Sequence, residues 1–171
     1  MTGNLKLERT IGFNGTLTNG LHMHPDGEHM IYALGSTVVI QDRNTLTQTF
    51  LRGHTNTVSC IAISPSGRFI ANAQETHMGF KADIIVWDYE KKEQYCRFSL
   101  HKVNVEALSF SYNDKYLVSL GGQDDGSVVV WDLETKDSIC GAPAAVASAG
   151  NAIRSFKNLG VKKYHFFIYF F

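Results

Sequence analysis

Short runs of β-branched and aromatic residues, separated by turn-forming residues, recur along most of the chain. The clearest runs lie at 58–63, 84–87, 105–110 and 128–131. β-branched and aromatic residues favour strands, whereas the Pro, Gly, Asn and Asp residues around these runs favour turns. No stretch combines a helical apolar period with capping residues at both ends. The pattern therefore predicts an all-β fold.

Two segments of this pattern align with one another, 53–88 and 101–132. Their Trp-Asp pairs begin at Trp87 and Trp131, which are 44 residues apart. A fainter copy, 21–42, precedes them and carries Gln41 in the Trp position. Each copy has three strand runs, and a fourth run follows its end. These fourth runs are 47–51, 94–100 and 138–140, and the tight turns within the copies are 25–27, 64–67 and 111–114.

The repeat resembles the WD-repeat family, whose units of about 40 to 45 residues carry Gly-His near the start and Trp-Asp at the end of the third strand. Gly53-His54 with Trp87-Asp88 is a full signature, and His101 with Trp131-Asp132 lacks only the Gly, which is replaced by Leu100. The resemblance implies a β-propeller built from radially arranged four-stranded blades. We expect residues 1–141 to form a partial propeller of about three blades.

The family resemblance also implies a hydrogen-bonded tetrad in the second clear unit. A buried polar group needs a partner, so such a chain of bonds would fix the geometry of one blade. The expected members are His101, Ser119, Asp125 and Trp131.

The preceding unit matches this tetrad only in part. His54 and Trp87 remain, Asn72 takes the Ser position, and Lys81 falls where the turn Asp belongs. We therefore expect this blade to be less rigid than the next one.

The repeat is lost after Gly141. Residues 142–150 are rich in Ala, Gly and Ser, and 162–171 are mostly aromatic without polar alternation. A closed propeller needs at least about four blades, so this chain alone is not expected to close one. We expect 142–171 to be a divergent, poorly ordered, aggregation-prone tail. A tail that instead folds back as a strand over the open edge is the alternative.

Composition and charge narrow the possible partners. Lys+Arg and Asp+Glu both number 16, so the formal net charge is zero and gives no general attraction to nucleic acid or anionic membranes. The three Cys residues lack C-x-x-C spacing, and the N-terminus lacks a signal-peptide pattern. The longest uninterrupted apolar run is too short to cross a bilayer. These features predict a reducing, cytoplasmic setting without membrane partners.

Candidate chemical sites are weak. His22, His24 and His29 match no structural zinc spacing, and their turn is expected to be solvated, so no metal is predicted. The Gly-rich stretch 121–127 lacks the Lys-Ser/Thr of a phosphate loop and precedes a strand. The Cys residues lie in or beside predicted strands, and no Gly-x-Ser-x-Gly elbow occurs. The sequence therefore predicts no enzyme, cofactor or small-molecule substrate.

One connection is a candidate protein-contact loop. The segment after Asn72 is three residues longer than its counterpart in the next unit. Longer loops on a rigid scaffold often carry binding contacts. The proposed contact residues are Glu75, His77, Met78 and Phe80, and the alternative is a loop without function.

Within the family, the chain is most similar to axonemal members that bind inside doublet microtubules. The blocks that carry this similarity are 5–34, 50–55, 72–80 and 128–140. The similarity implies a truncated N-terminal form of a longer interaction scaffold, with tubulin and other axonemal proteins as partners in a cilium or flagellum.

The alternative function is a cytosolic adaptor for signalling or ubiquitin-ligase assemblies. Family members that bind cullin-ligase adaptors usually carry Arg two residues after the Trp-Asp aspartate. Glu90 and Glu134 stand there, which disfavours this alternative.

Overall fold

Twelve strands form three antiparallel four-stranded sheets in a computed structural model that describes residues 7–17 and 20–143. The strands of each sheet follow one another in sequence order. The first sheet contains β1 (Leu21–Met23), β2 (His29–Leu34), β3 (Thr37–Asp42) and β4 (Gln48–Arg52). The second contains β5 (Val58–Ile63), β6 (Phe69–Gln74), β7 (Lys81–Asp88) and β8 (Glu93–Lys102). The third contains β9 (Val105–Phe110), β10 (Tyr116–Gly121), β11 (Ser127–Asp132) and β12 (Asp137–Pro143).

This architecture confirms the predicted all-β partial propeller of three four-stranded blades, which the described residues do not close. Each predicted fourth run is a strand, and β12 extends beyond the predicted 138–140. The predicted boundary at residue 141 lies inside β12. The remainder of the predicted tail, 144–171, lies outside the described residues, so its proposed disorder stays a prediction.

The first hairpin of each sheet closes with a residue at positive φ. Gly27 and Gly67 have φ of 74° and 81°, a backbone region that Gly enters without steric cost. Asp114 takes the same place in the third sheet with φ of 57°, which Asp tolerates better than most side chains. Thus the turn geometry is repeated although the residue type is not.

Apolar clusters between neighbouring sheets hold the three blades together. Trp87 faces the first sheet with Ile70 and Ile85, whereas Trp131 faces the second sheet and stacks on Phe98 at 4.4 Å between ring centroids. Each Trp therefore packs towards the preceding blade. Burial of these large aromatic rings stabilises the contact between blades as well as the blade itself.

A polar contact joins the first two sheets at the edge that carries the β1–β2 and β7–β8 turns. His24 stacks on Tyr89 with 3.7 Å between ring centroids, and its Nε2 lies 2.8 Å from the carbonyl oxygen of Gly67. The Tyr89 hydroxyl donates to Asp26 Oδ2 at 2.8 Å. His24 is only 6% exposed, so the expectation of a solvated turn is wrong for this residue. Its ring is part of the packing between blades.

Candidate functional site

A buried chain of hydrogen bonds crosses the third sheet from its upper edge, the edge that carries the β6–β7, β8–β9 and β10–β11 loops. His101 Nδ1 lies 2.6 Å from Asp125 Oδ2, and His101 Nε2 lies 2.6 Å from Ser119 Oγ. Trp131 Nε1 donates to Ser119 Oγ at 2.7 Å. The structure thus brings together all four residues of the tetrad expected from the sequence.

One tautomer of His101 gives every polar atom of this hydrogen-bond network a partner. His101 Nδ1–H donates to Asp125, Nε2 accepts the Ser119 hydroxyl proton, and the Ser119 oxygen accepts from Trp131. His101 and Ser119 are both fully buried. A fully satisfied network in such a setting fixes the relative positions of β8, β10, β11 and the turn before β11.

The carboxylate of Asp125 is held in its charged form by this geometry. Burial raises the pKa of Asp125, but hydrogen bonds from His101 and Ser127 outweigh burial and keep the pKa below its usual range. The backbone N–H of Lys102 adds a bond to Oδ1 at 3.2 Å. Asp125 therefore remains an acceptor at neutral pH.

Gly121 is a required neighbour of the tetrad that sequence reasoning did not identify. A Cβ at this position would overlap Asp125 Oδ2 and would lie 2.8 Å from His101 Nδ1. The absence of a side chain lets the Asp125 carboxylate reach the imidazole. Its position at the end of β10, two residues after Ser119, is the sequence signal for this role.

In the second sheet, a different residue provides the acceptor for the buried histidine. Gln74, at the end of β6 and two residues after Asn72, occupies the place of Gly121. Its Oε1 lies 3.0 Å from His54 Nδ1, where the third sheet has the Asp125 carboxylate. Trp87 Nε1 donates to Asn72 Oδ1 at 2.7 Å. A neutral amide from the strand thus replaces a carboxylate from the turn.

Lys81 lies outside this group. Lys81 is exposed and is the first residue of β7. β7 has eight residues whereas its counterpart β11 has six, so Lys81 lies in the strand rather than in the turn before it. The longer connection noted in the sequence therefore extends the strand as well as the loop.

The group in the second sheet is less completely bonded. His54 Nε2 and Asn72 Nδ2 are buried and have no hydrogen-bond partner among the described residues. In the third sheet the Ser119 hydroxyl joins His101 to Trp131, whereas the Asn72 amide bonds Trp87 alone. This difference supports the proposal that the second blade is the less rigid of the two.

We expect His54 to make the stability of the chain pH-dependent. Burial lowers the pKa of His54 below its usual 6.5, an effect that the Gln74 bond only partly offsets. The nearby Arg97 lowers the pKa further and Asp83 raises it. Below pH 6.5 the unfolded chain therefore binds the proton first, so the stabilisation present above pH 6.5 is lost as pH falls towards the folded pKa.

Urea unfolding at pH ~7.5 and ~5.5 tests this expectation. Wild type should lose more free energy of unfolding than His54→Gln over this interval, because the variant has no proton to bind at this position. Equal losses in the two proteins would contradict the assignment to His54.

The first sheet carries a third arrangement. Gln41, in the Trp position, accepts from the Tyr32 hydroxyl at 2.8 Å and from Gln48 Nε2 at 3.1 Å. Gln48 also binds the N-terminal segment, since its Oε1 accepts from the Thr10 backbone N–H at 2.7 Å. A polar network therefore fastens the 7–14 segment to the side of the first sheet that faces away from the second.

The contact loop, residues 75–80, lies at the upper edge between the second and third sheets. Glu75, His77, Met78 and Phe80 are all exposed, with Met78 at 79% and Phe80 at 65%. Its backbone is held in place on both sides. The bonds are Glu75 N to Thr57 O at 2.9 Å, Thr76 N to Val103 O at 2.6 Å and Val103 N to Phe80 O at 3.2 Å.

The tip of the contact loop is a tight turn. Phe80 N donates to His77 O at 3.1 Å, and Gly79 has φ of 89°. A turn with positive φ at its third residue favours Gly there. The contact loop is therefore an ordered turn that exposes the apolar side chains of Met78 and Phe80 to solvent.

The Ser119–His101–Asp125 connectivity is that of a nucleophilic triad, but its burial prevents that chemistry. Ser119 and His101 are 0% exposed, and the Ser119 oxygen accepts the Trp131 N–H, so a substrate carbonyl has no path to the hydroxyl. The arrangement is suited to holding strands in place.

Cys60 and Cys96 are buried, protonated thiols, whereas Cys140 in β12 is free and exposed, unlike the buried position expected from the sequence. Burial raises the pKa of Cys60 to about 12 and that of Cys96 to about 11, which keeps both thiols protonated. No group of three or more His, Cys, Asp or Glu residues suited to a metal ion occurs in the described ranges. The same ranges contain no helix that could span a membrane.

Comparison with known proteins agrees with this architecture. The family profile described as WD domain, G-beta repeat, matches residues 44–88 and 92–132. The chain is 62% identical to cilia- and flagella-associated protein 52 of Homo sapiens over 148 residues, and 50% identical to the protein of that name of Chlamydomonas reinhardtii over 155 residues. These matches cover 86% and 90% of this chain but 24% and 25% of those relatives.

A more distant relative shows the same repeat. WD repeat-containing protein 90 of Mus musculus is 31% identical over 134 residues, which cover 77% of this chain and 7% of that relative. The chain thus spans about a quarter of the length of the cilia- and flagella-associated relatives. Its three sheets, its buried Trp-centred hydrogen bonds and the family match lead to one assignment: the chain belongs to the WD-repeat family.

Proposed function

We propose that this chain is a non-enzymatic protein-interaction scaffold of the axoneme in cilia or flagella. In this role it belongs to a microtubule inner protein that stabilises doublet microtubules and supports cilium motility, and its partners are tubulin and neighbouring axonemal proteins. The observation that carries the proposal is the 50 to 62% identity to cilia- and flagella-associated relatives from Chlamydomonas reinhardtii to Homo sapiens.

The site geometry supports a scaffold. The buried tetrad fixes the third sheet without offering a reactive group to solvent. The contact loop offers Met78 and Phe80 on a backbone held by three hydrogen bonds to neighbouring loops. Contact residues on a fixed support lose little conformational freedom on binding, which favours protein recognition.

Axoneme fractionation tests the proposal. The protein is tagged at its own locus, cilia are demembranated, and the doublets are extracted with increasing salt. We expect the tagged protein to remain with doublet microtubules through the salt steps, because an inner protein has contacts over a wide surface. Recovery entirely in the detergent-soluble matrix would overturn the proposal.

Proximity labelling in the same cells gives an independent measurement. Labelling of tubulin and axonemal neighbours is the expected result. Labelling dominated by a cullin adaptor would instead favour the ubiquitin-ligase adaptor, for which Glu90 and Glu134 stand at the positions usually occupied by Arg.

A further inference from the structure

A cleft of about 280 Å³ opens at the upper edge between the second and third sheets. Residues 102–104, between β8 and β9, line it and are called its base, and Glu75 and Thr76 at the start of the contact loop line it on one side. The opposite wall is 122–124, with Glu106 from β9 beside it. Pockets for drug-sized ligands measure about 300 to 1,000 Å³, so this cleft has room for one large side chain rather than a cofactor.

The cleft has an excess of carboxylates. Glu75, Glu106 and Asp124 line it together with one cation, Lys102. None of these four side chains forms an ion pair with a described residue. Lys81 lies opposite Lys102 in the strand register but is not part of the lining. The lining therefore has negative charge available to a cationic partner group.

A buried acceptor without a partner lies in the same lining. Asn104 Oδ1 is shielded from solvent and has no hydrogen-bond partner among the described residues. The backbone carbonyl of Asn104 is already used, since it accepts from Gly122 N at 2.9 Å. A ligand in the cleft does not reach this shielded oxygen, so the case for a cationic partner rests on the carboxylates.

The backbone at the base of the cleft is strained. Val103 has φ of 62°, a region that β-branched residues rarely adopt. The contact loop holds this conformation from both sides through Thr76 N and Phe80 O. The loop with exposed Met78 and Phe80 is thus fastened directly to the base of the cleft.

We propose that this cleft binds an arginine side chain of a partner protein, with a neighbouring apolar residue of that partner packing on Met78 and Phe80. The inference deepens the scaffold function proposed above and rests on it. A guanidinium carries five donors in a planar fork, which suits several carboxylates together. Lysine presents a single compact charge, and an acidic segment would be repelled by the same carboxylates.

Fluorescence anisotropy with short labelled peptides tests the proposal on the 171-residue chain. The probes are blocked decapeptides with Arg-Leu-Phe at the centre, in a neutral Ser/Gly background, and matched peptides with citrulline or Glu in place of Arg. Citrulline keeps the shape of arginine and removes its charge. We expect the Arg peptide to bind about tenfold more tightly than the citrulline peptide, the difference typical of one charge-assisted hydrogen bond, and the Glu peptide to bind most weakly.

Charge-neutral variants locate the site. Glu106→Gln and Asp124→Asn should each weaken Arg-peptide binding by about five- to tenfold and leave citrulline-peptide binding unchanged. Glu134→Gln, an exposed carboxylate in the β11–β12 turn at the opposite edge, removes the same charge and should have no effect. Equal binding of the Arg and citrulline peptides, or equal losses in Glu106→Gln and Glu134→Gln, would overturn the proposal.

The two proposals fail in distinguishable ways. Retention of the tagged protein on salt-extracted doublets, together with equal binding of the Arg and citrulline peptides, would contradict the arginine site alone. Arg-selective binding by a protein found only in the soluble matrix would contradict the axonemal function and support the cleft.

Discussion

His101→Ala is expected to reduce the free energy of unfolding by about 3 to 5 kcal/mol, because it breaks two hydrogen bonds of buried groups, one of them to a charged carboxylate. The substitution removes the partner of Asp125 Oδ2 and of the Ser119 hydroxyl, both of which lie 2.6 Å from the imidazole. Ser119 then loses its imidazole acceptor in a fully buried position, and Asp125 keeps only the Ser127 hydroxyl and the Lys102 backbone N–H as donors. Most of the expected cost arises because these two groups lose hydrogen-bond partners and water does not replace them.

His54→Ala provides the matched control in the second sheet. The imidazole there bonds the neutral Gln74 amide, and its Nε2 is already without a partner. Its loss should therefore cost only about 1 to 2 kcal/mol, the range for a hydrogen bond without an ionic partner.

Urea unfolding monitored by Trp fluorescence measures both variants. Since Trp131 and Trp87 contact the two groups, local loosening is visible in the same experiment. If His101→Ala is too unstable to give a native baseline, Ser119→Ala and Asn72→Ala repeat the comparison with smaller deletions. Equal losses at matched positions would show that the two blades depend on their hydrogen bonds to the same extent.

The fold was predictable from sequence because its signals are local. Trp87-Asp88 and Trp131-Asp132 mark equivalent strands, and the Pro, Gly, Asn and Asp turns mark the ends of hairpins within a few residues. Trp131 is buried against Phe98 of the preceding sheet, and Trp87 likewise packs towards the sheet before its own. Strand existence and order therefore follow from the repeat itself.

The site was less predictable because it depends on register between strands. Gln74 and Gly121 occupy equivalent positions, but their side chains have no chemistry in common. Each lets a buried His keep an acceptor on Nδ1: Gln74 bonds His54 of the β4–β5 loop directly, and Gly121 leaves room for Asp125 beside His101 at the end of β8. His24 is a similar case. The sequence of its turn predicts a polar, exposed position, but Tyr89 from the next repeat stacks on the His24 ring and covers it. The contact of His24 with Tyr89 carries no sequence signal within either repeat.

The second sheet uses Gln74 where the third uses Gly121 together with Asp125, and this difference leads to a double-mutant prediction. Asp125→Ala alone should cost about 2 to 4 kcal/mol, because buried His101 Nδ1 loses its charged acceptor and keeps only the Ser127 hydroxyl at 3.3 Å. Gly121→Gln alone should cost at least as much, since its Cβ would overlap Asp125 Oδ2 and lie 2.8 Å from Asp125 Cγ. Each change breaks one part of the third-sheet arrangement.

The double variant Gly121→Gln with Asp125→Ala should be more stable than the two losses added together. Removal of the carboxylate relieves the closest overlap and leaves only the 2.8 Å approach of the new Cβ to His101 Nδ1, which a small shift of the ring relieves. The Gln amide oxygen can then accept from His101 Nδ1, as Gln74 does for His54 at 3.0 Å. The expected interaction is about 1 to 3 kcal/mol in favour of the pair, the range seen for residues in one network. Urea unfolding of the wild type, both single variants and the double variant measures it. Additive losses would show that the strand-borne amide cannot replace the turn carboxylate in this blade.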